Sequence, residues 1–196
     1  MTITFPDVHG CDEVYMDCLE LLTGTNRKSM IDLGCNLAPH TRKLGFKEKL
    51  YVDVLYRDIQ EEQPYFLQAD ILNMPKEIAV ERDASFCLDC IEHISKSAGW
   101  DLLYWMRIFS KRQILFTPLD EWMMTTDDNK DPEAHRSLWR PEELPDYWFK
   151  IVFPVYHPTL NIGAHFFAGG ISLQEQEQIA TILSKKGWAT NREVKP

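Results

Sequence analysis

The sequence predicts an α/β fold in which a mostly parallel sheet carries helices on both faces. Short apolar segments typical of buried strands alternate along the chain with segments whose apolar residues recur at helical spacing. The length of 196 residues suits a single domain with a substantial core. Strands that alternate with helices run parallel, because each crossover returns the chain to the same end of the sheet.

Seven segments are expected to form the sheet. The first five are short apolar runs bounded by turn residues, and the last two flank the turn-like segment His157–Asn161 and are expected to pair antiparallel. In chain order they are Ser29–Leu33, Leu50–Val54, Tyr65–Gln68, Ala84–Asp89, Gln113–Thr117, Trp148–Tyr156 and Gly163–Ala168.

Four helices are expected between and around these strands. Helical spacing predicts one over about Cys11–Thr23 and another over Ala98–Phe109. A compact helix is expected over Pro39–Gly45, because proline suits a first turn and glycine a helix end. The last helix begins with the capping-box pair Ser172 and Glu175. We expect one domain over residues 1–170 and a helical tail over 171–196, packed on that domain or at a homodimer interface.

Composition narrows the classes of function. A formal net charge of −9 disfavours nucleic-acid binding, although a basic protein tail or a cationic small molecule stays possible as a partner. No apolar run is long enough to span a bilayer, and the N-terminus does not have the pattern of a secretory signal. Five irregularly spaced cysteines fit reduced thiols. A cytoplasmic location without membrane contact is therefore expected.

The first strand leads into a turn suited to a ligand. Asp32 and Gly34 end the strand, and the turn continues through Asn36 to Pro39. In open α/β sheets ligands bind at the carboxyl ends of the strands. A nicotinamide dinucleotide would be opposed by Asp32 and would want glycine at positions 36 and 39. The ammonium and sulfonium groups of S-adenosylmethionine favour a carboxylate neighbour, so the charge of Asp32 indicates the methyl donor.

This turn resembles the first motif of class I S-adenosylmethionine-dependent methyltransferases, Asp/Glu-x-Gly-x-Gly-x-Gly. Asn36 and Ala38 replace the second and third glycines, and asparagine tolerates left-handed backbone angles better than most residues. The resemblance implies a Rossmann-like three-layer sandwich with a mostly parallel seven-stranded sheet ending in an antiparallel hairpin. It also implies S-adenosyl-L-methionine as cofactor, contacted by Asp32, Gly34, Cys35 and Asn36.

Acids follow the next two strands. A carboxylate accepts hydrogen bonds from two vicinal hydroxyls, and by the resemblance Asp53, with Val54, would bind the cofactor's ribose. Asp58 is the alternative if the strand register differs. Asp70 and Ile71 resemble the third motif of the family, in which the acid accepts from the adenine amino group.

The fourth strand ends in a segment that closely resembles the fourth motif of small-molecule methyltransferases, including the ubiquinone-biosynthesis O-methyltransferase type. The segment runs through Asp89 and Cys90 to Glu92-His93-Ile94. Asp89 and Cys90 would contact the cofactor. His93 is expected to lie between cofactor and acceptor, either as a general base or as a structural residue.

The acceptor side is harder to predict. Residues 119–140 have no strand or long-helix pattern, and a loop of that length suits a lid over the site. Trp122, His135 and Trp139 are expected to contact the acceptor. No metal site is expected, because the sequence offers no evident ligand set. Cys87 and Cys90 are not expected to share a ligand, since residues i and i+3 on a strand face opposite sides.

Together these features predict a methyltransferase acting on a small-molecule oxygen or nitrogen acceptor. Two alternatives stay open. The fold is retained as a non-catalytic binding module, or the methyl acceptor is a protein.

Overall fold

The computed structural model describes residues 1–5, 12–55, 65–73, 78–120, 131, 133–157, 159–160, 162–186 and 191–193. They form nine strands, three α-helices and short 3-10 turns. The elements are β1 (Thr2–Thr4), α1 (Asp12–Thr23), β2 (Ser29–Leu33), β3 (Glu48–Asp53), β4 (Phe66–Gln68), β5 (Arg82–Leu88), α2 (Lys96–Phe109), β6 (Ser110–Pro118), β7 (Phe149–His157), β8 (Ile162–Gly169), α3 (Leu173–Lys185) and β9 (Asn191–Glu193).

The described strands form one sheet in the order β4-β3-β2-β5-β6-β8-β7-β1-β9. Strands β2 to β6 run parallel, and the β7–β8 hairpin joins β6 antiparallel through β8. The expected α/β sheet ending in an antiparallel hairpin is therefore confirmed. Two strands of three residues each, β1 and β9, were not predicted and extend the sheet beyond the hairpin, because so short a run carries no detectable alternation.

Alternating side chains on the strands build a core on each face of the sheet. On one face Met30, Phe86 and Ile114 pack with α1 and α3. On the other face the next residue of each of these strands packs with α2. The result is three layers, as period-2 alternation in a sheet covered on both faces requires. None of the described helices is long and apolar enough to cross a bilayer.

Three of the four predicted helices are present. The capping box of α3 forms, with the Ser172 N–H donating to Glu175 Oε2 at 2.9 Å. Helix α2 begins at Lys96, earlier than expected, because the Ser95 hydroxyl caps it. The prediction of a compact helix over Pro39–Gly45 is wrong, since that stretch has only a 3-10 turn at Thr41–Lys43.

The strand order reverses between β2 and β5. From β2 the chain extends the sheet to one side through β3 and β4, and it then crosses to the other side for β5 and β6. The loops after β2 and β5 consequently diverge and leave a crevice at the carboxyl ends of these strands, where open α/β sheets bind ligands.

Candidate functional site

The turn after β2 adopts the left-handed backbone angles typical of a glycine-rich loop, although it contains a single glycine. Gly34, Asn36 and Ala38 have φ values of 68°, 48° and 48°, all in the left-handed region. The Gly34 and Cys35 N–H groups both donate to the Val52 carbonyl, at 2.8 and 3.1 Å, which ties the turn to β3. Alternating left-handed residues prevent a regular helix here, and this explains the missing compact helix.

Gly34 allows a close approach between this turn and the segment after β5. A Cβ atom at Gly34 would lie 2.0 Å from Cys90 Sγ. The neighbouring loops can therefore pack together only because position 34 has no side chain.

A cavity of about 350 Å³ opens at the carboxyl ends of these strands. This volume lies within the range of small-ligand sites. It is lined by eight of the ten residues predicted to contact the cofactor, and also by His93, Ser95, Glu133 and Arg136. The eight are Gly34, Asn36, Asp53, Val54, Asp70, Ile71, Asp89 and Cys90.

Two carboxylates in this larger cavity are held by backbone donors. Asp53 accepts from the Asn36 N–H at 2.8 Å and from the Leu55 N–H at 2.9 Å. Asp70 accepts from the Leu72 N–H at 2.9 Å. A carboxylate has about four lone-pair sites, so each retains acceptor capacity for a ligand. The alternative acid, Asp58, lies outside the described residues.

The other two predicted cofactor residues, Asp32 and Cys35, line a smaller cavity of about 120 Å³. Asn36 and Asp89 line both cavities, so the two adjoin. Burial raises the pKa of Asp32 to about 7, with a further rise from Asp53, while the Thr41 hydroxyl donates to its carboxylate and opposes the rise. A cation bound here would restore the charge of Asp32.

Tyr15, a residue of α1, closes the smaller cavity. Its side chain is 2% exposed, and its hydroxyl has no hydrogen-bond partner among the described residues. The ring lies 4.3 Å between centroids from the ring of His40, tilted by 35°, and His40 also lines the cavity. Neither residue was predicted to line the site, because a tyrosine in an amphipathic helix carries no signal that separates a core position from a ligand position.

Two acidic side chains, Asp89 and Glu92, lie close together just after the end of β5. Asp89 has a φ of 50° and turns the chain away from the strand. Its carboxyl has accessible surface in the cavity, yet the surrounding protein removes enough water to raise its pKa to about 7. Glu92 is fully buried, and burial together with the charge of Asp89 raises its pKa to about 8. Thr117 Oγ1 donates to Glu92 Oε2 at 2.9 Å.

The turn at Asp89 also corrects the expectation for the cysteine pair. A side-chain hydrogen bond joins Cys87 to Cys90, so the two side chains meet instead of facing opposite sides of a strand. The chain has already left β5 at Cys90, and strand alternation no longer applies. This hydrogen bond and burial raise the pKa of Cys87 well above the usual value for a thiol, which disfavours the thiolate needed to bind a metal.

His93 and His135 come together beside the larger cavity. Their rings are 4.7 Å apart between centroids and nearly perpendicular. With Glu92 they offer three possible metal-ligand atoms that all lie within 4.8 Å of one another. This ligand set is not evident from the sequence, because His135 is far from the Glu92–His93 pair along the chain and only the fold brings them together.

The remaining predicted acceptor residues have different outcomes. Trp139 lines neither of these two cavities and is 1% exposed, so the structure gives it a buried position, and its predicted contact with the acceptor stays a prediction. Its ring packs on Gly99 of α2, and its N–H donates to Ser137 Oγ at 2.8 Å. Trp122 lies outside the described residues. Arg136, not predicted, lines the larger cavity and donates to the His93 carbonyl at 2.6 Å.

No protein-family model and no curated protein matches the sequence. Solved structures share its fold. DhpI in complex with SAH has 17% identity over 80% of this chain and 84% of that chain, with a TM-score of 0.54. The methyltransferase domain of bacterial CtHen1 has 17% identity over 80% and 98%, with a TM-score of 0.54. The N-methyltransferase NodS from Bradyrhizobium japonicum WM9 has 13% identity over 80% and 94%, with a TM-score of 0.56. The chain thus has the Rossmann-like fold of these methyltransferases.

Proposed function

We propose that this protein transfers the methyl group of S-adenosyl-L-methionine to a small-molecule oxygen or nitrogen acceptor. The pair of adjoining cavities at the carboxyl ends of β2 to β5 carries this proposal. Their sizes and polar groups match the two halves of the donor, an uncharged adenosine and a charged amino acid joined through the sulfonium. DhpI, which shares the fold, is known in a complex with SAM.

The larger cavity fits the adenosine half. Asp53, already fixed by two backbone N–H groups, accepts from the ribose hydroxyls. Asp70 accepts from the adenine amino group, with Ile71 against the ring. Neither contact needs a phosphate-binding glycine at position 36. A dinucleotide would need that glycine, so Asn36 favours S-adenosylmethionine over a dinucleotide.

The smaller cavity fits the amino-acid half. The carboxylates of Asp32 and Asp89 line it and attract the ammonium group. The Tyr15 hydroxyl, buried and without a partner among the described residues, donates to the carboxylate. The sulfonium then lies near Asn36 and Asp89, where the two cavities adjoin.

Methyl transfer is an in-line displacement. The acceptor atom forms a bond to the methyl carbon as the carbon–sulfur bond breaks, and sulfur keeps the electron pair as a neutral thioether. Because the sulfonium is already a good leaving group, the protein aligns the two molecules and excludes water. A base is required only for a protonated acceptor, and His93 at the cavity wall is the predicted base. That role and the O-methyltransferase subgroup stay predictions.

Calorimetric titration with S-adenosylhomocysteine tests the proposal. We expect micromolar binding by the intact chain, no binding of NADH, and about 10–100-fold weaker S-adenosylhomocysteine binding by Asp53→Ala, because charged hydrogen bonds to the ribose are lost. A chain that binds neither compound would be a non-catalytic member of this fold.

A truncated ligand tests the two cavities separately. Methylthioadenosine has the adenosine half but not the amino acid. Tyr15→Phe keeps the ring contacts with His40 and Phe116 and removes only the hydroxyl. We expect it to weaken S-adenosylhomocysteine binding about 5–10-fold and to leave methylthioadenosine binding unchanged. Equal losses for both ligands would contradict the assigned orientation of the donor.

A further inference from the structure

Glu92, His93 and His135 form a cluster at one side of the larger cavity. One ligand atom from each lies within 4.8 Å of the other two. The segment that carries His135 is held against Glu92 by two hydrogen bonds, because the Arg136 and Ser137 N–H groups donate to the Glu92 carbonyl at 2.7 and 3.0 Å. The backbone therefore fixes the approach of the two segments.

The carboxylate of this cluster is buried without a matching cation. Glu92 is 3% exposed, and no lysine or arginine among the described residues forms an ion pair with it. The nearby carboxylate of Asp89 adds negative charge. Buried carboxyl groups in proteins are normally hydrogen-bonded, paired with a cation or bound to a metal ion. The Thr117 hydroxyl orients the Glu92 carboxylate but supplies no charge.

The histidines supply the nitrogen ligands. Nδ1 of His93 is buried and has no hydrogen-bond partner within the part of the chain that the structure describes. The His135 ring, 6% exposed, lies against it at 4.7 Å between centroids. A buried imidazole nitrogen without a hydrogen-bond partner lowers the free energy of unfolding unless a bound ligand or metal ion interacts with it.

We propose that Glu92, His93 and His135 bind a divalent transition-metal ion of the Zn²⁺ type. Two imidazole nitrogens and one carboxylate oxygen suit zinc, or cobalt in its place, better than magnesium or calcium, which prefer oxygen ligands. Zinc bonds of about 2.0–2.2 Å put ligand atoms at most about 4.4 Å apart. The three candidate ligand atoms already lie within 4.8 Å of one another, so small side-chain rotations close the site. Three protein ligands leave a coordination position open.

This open position gives the metal a role at the acceptor. His93 lines the cavity assigned to the donor, so the ion lies at the wall where an acceptor approaches. A hydroxyl coordinated there loses its proton to water more readily, and its oxygen then forms the bond to the methyl carbon as described above. This role rests on the proposed function, whereas the metal site itself does not. It replaces general-base catalysis by His93, since a coordinated nitrogen cannot take a proton.

Cobalt titration of the full chain tests the site directly. After treatment with EDTA and dialysis, we expect one equivalent of Co²⁺ to produce visible absorption bands that Zn²⁺ then removes. His135→Ala should weaken Co²⁺ binding at least about 100-fold, because even residues that only support metal ligands contribute about 10–100-fold. His157→Ala, which changes an exposed histidine outside the cluster, is the matched control and should titrate as the intact chain does.

Two further measurements make each outcome decisive. Glu92→Gln keeps the shape of the side chain and should also lose Co²⁺ binding, which covers the case of a misfolded His135→Ala. Each sample is also titrated with S-adenosylhomocysteine, which should still bind. No saturable Co²⁺ signal in the intact chain, or an equal signal in all three variants, overturns the metal site. Co²⁺ binding without S-adenosylhomocysteine binding would instead retain the metal site and remove the methyl-donor proposal.

Discussion

The proposed donor side and the proposed acceptor side of this site are built in different ways. The donor side consists of strand ends and the turns that follow them, with left-handed backbone at Gly34, Asn36 and Ala38. The acceptor side consists of side chains from two segments distant in sequence, which meet because Arg136 and Ser137 bond to the Glu92 carbonyl. Local backbone shape determines the first region, and tertiary packing determines the second.

Gly34→Ala should have the largest effect, on the donor side. The new methyl group would lie 2.0 Å from Cys90 Sγ on a backbone with positive φ. Left-handed strain of about 1–2 kcal/mol and overpacking of about 1–3 kcal/mol together lower the free energy of unfolding by about 2–5 kcal/mol. Chemical denaturation measures this loss, and S-adenosylhomocysteine binding should fall with it.

Gly45→Ala is the matched control for that variant. Nothing lies within 4 Å of a Cβ atom at position 45. We expect its free energy of unfolding to stay within about 0.5 kcal/mol of the unmodified chain. Equal effects of the two substitutions would mean that the close approach of Cys90 to the turn does not constrain the donor side.

Gly99→Ala should have an intermediate effect, confined to the acceptor side. A Cβ atom there would lie 2.2 Å from the Trp139 ring. The Trp139 ring N–H donates to Ser137 Oγ, and the Ser137 N–H donates to the Glu92 carbonyl, so displacement of the ring disturbs the proposed metal-binding cluster. Overpacking of about 1–3 kcal/mol is partly offset by a gain of about 1 kcal/mol in helix propensity, so the free energy of unfolding should fall by up to about 2 kcal/mol.

Two titrations distinguish the regions in Gly99→Ala. Co²⁺ binding should weaken, whereas S-adenosylhomocysteine binding should change less than about twofold. Adding Trp139→Phe removes part of the clashing ring. The double variant should therefore lose less free energy of unfolding than the sum of the losses in the two single variants. A matching loss of affinity for both ligands would show that the two regions are not separable.

The same contrast explains what the sequence predicts. The sheet and eight residues of the larger cavity follow from strand ends, because a ligand site there depends on local turns. The cluster with His135 depends on a long-range pairing that has no local pattern. Trp139 was assigned to the acceptor because an aromatic residue in a loop suits both a ligand and a core, and here Gly99 leaves room for it in the core.

Asn36→Gly should have the smallest effect, and it tests whether the departure from the family's glycines weakens the donor site. Asparagine accepts a φ of 48° at little cost, and the N–H group that holds Asp53 belongs to the backbone. Restoring glycine should therefore change the free energy of unfolding by less than about 0.5 kcal/mol, since the extra freedom of glycine in the unfolded chain offsets relief of strain. Calorimetry should give S-adenosylhomocysteine affinities within about twofold. A gain of tenfold or more would mean that Asn36 impairs donor binding, as a fold kept for another purpose would allow.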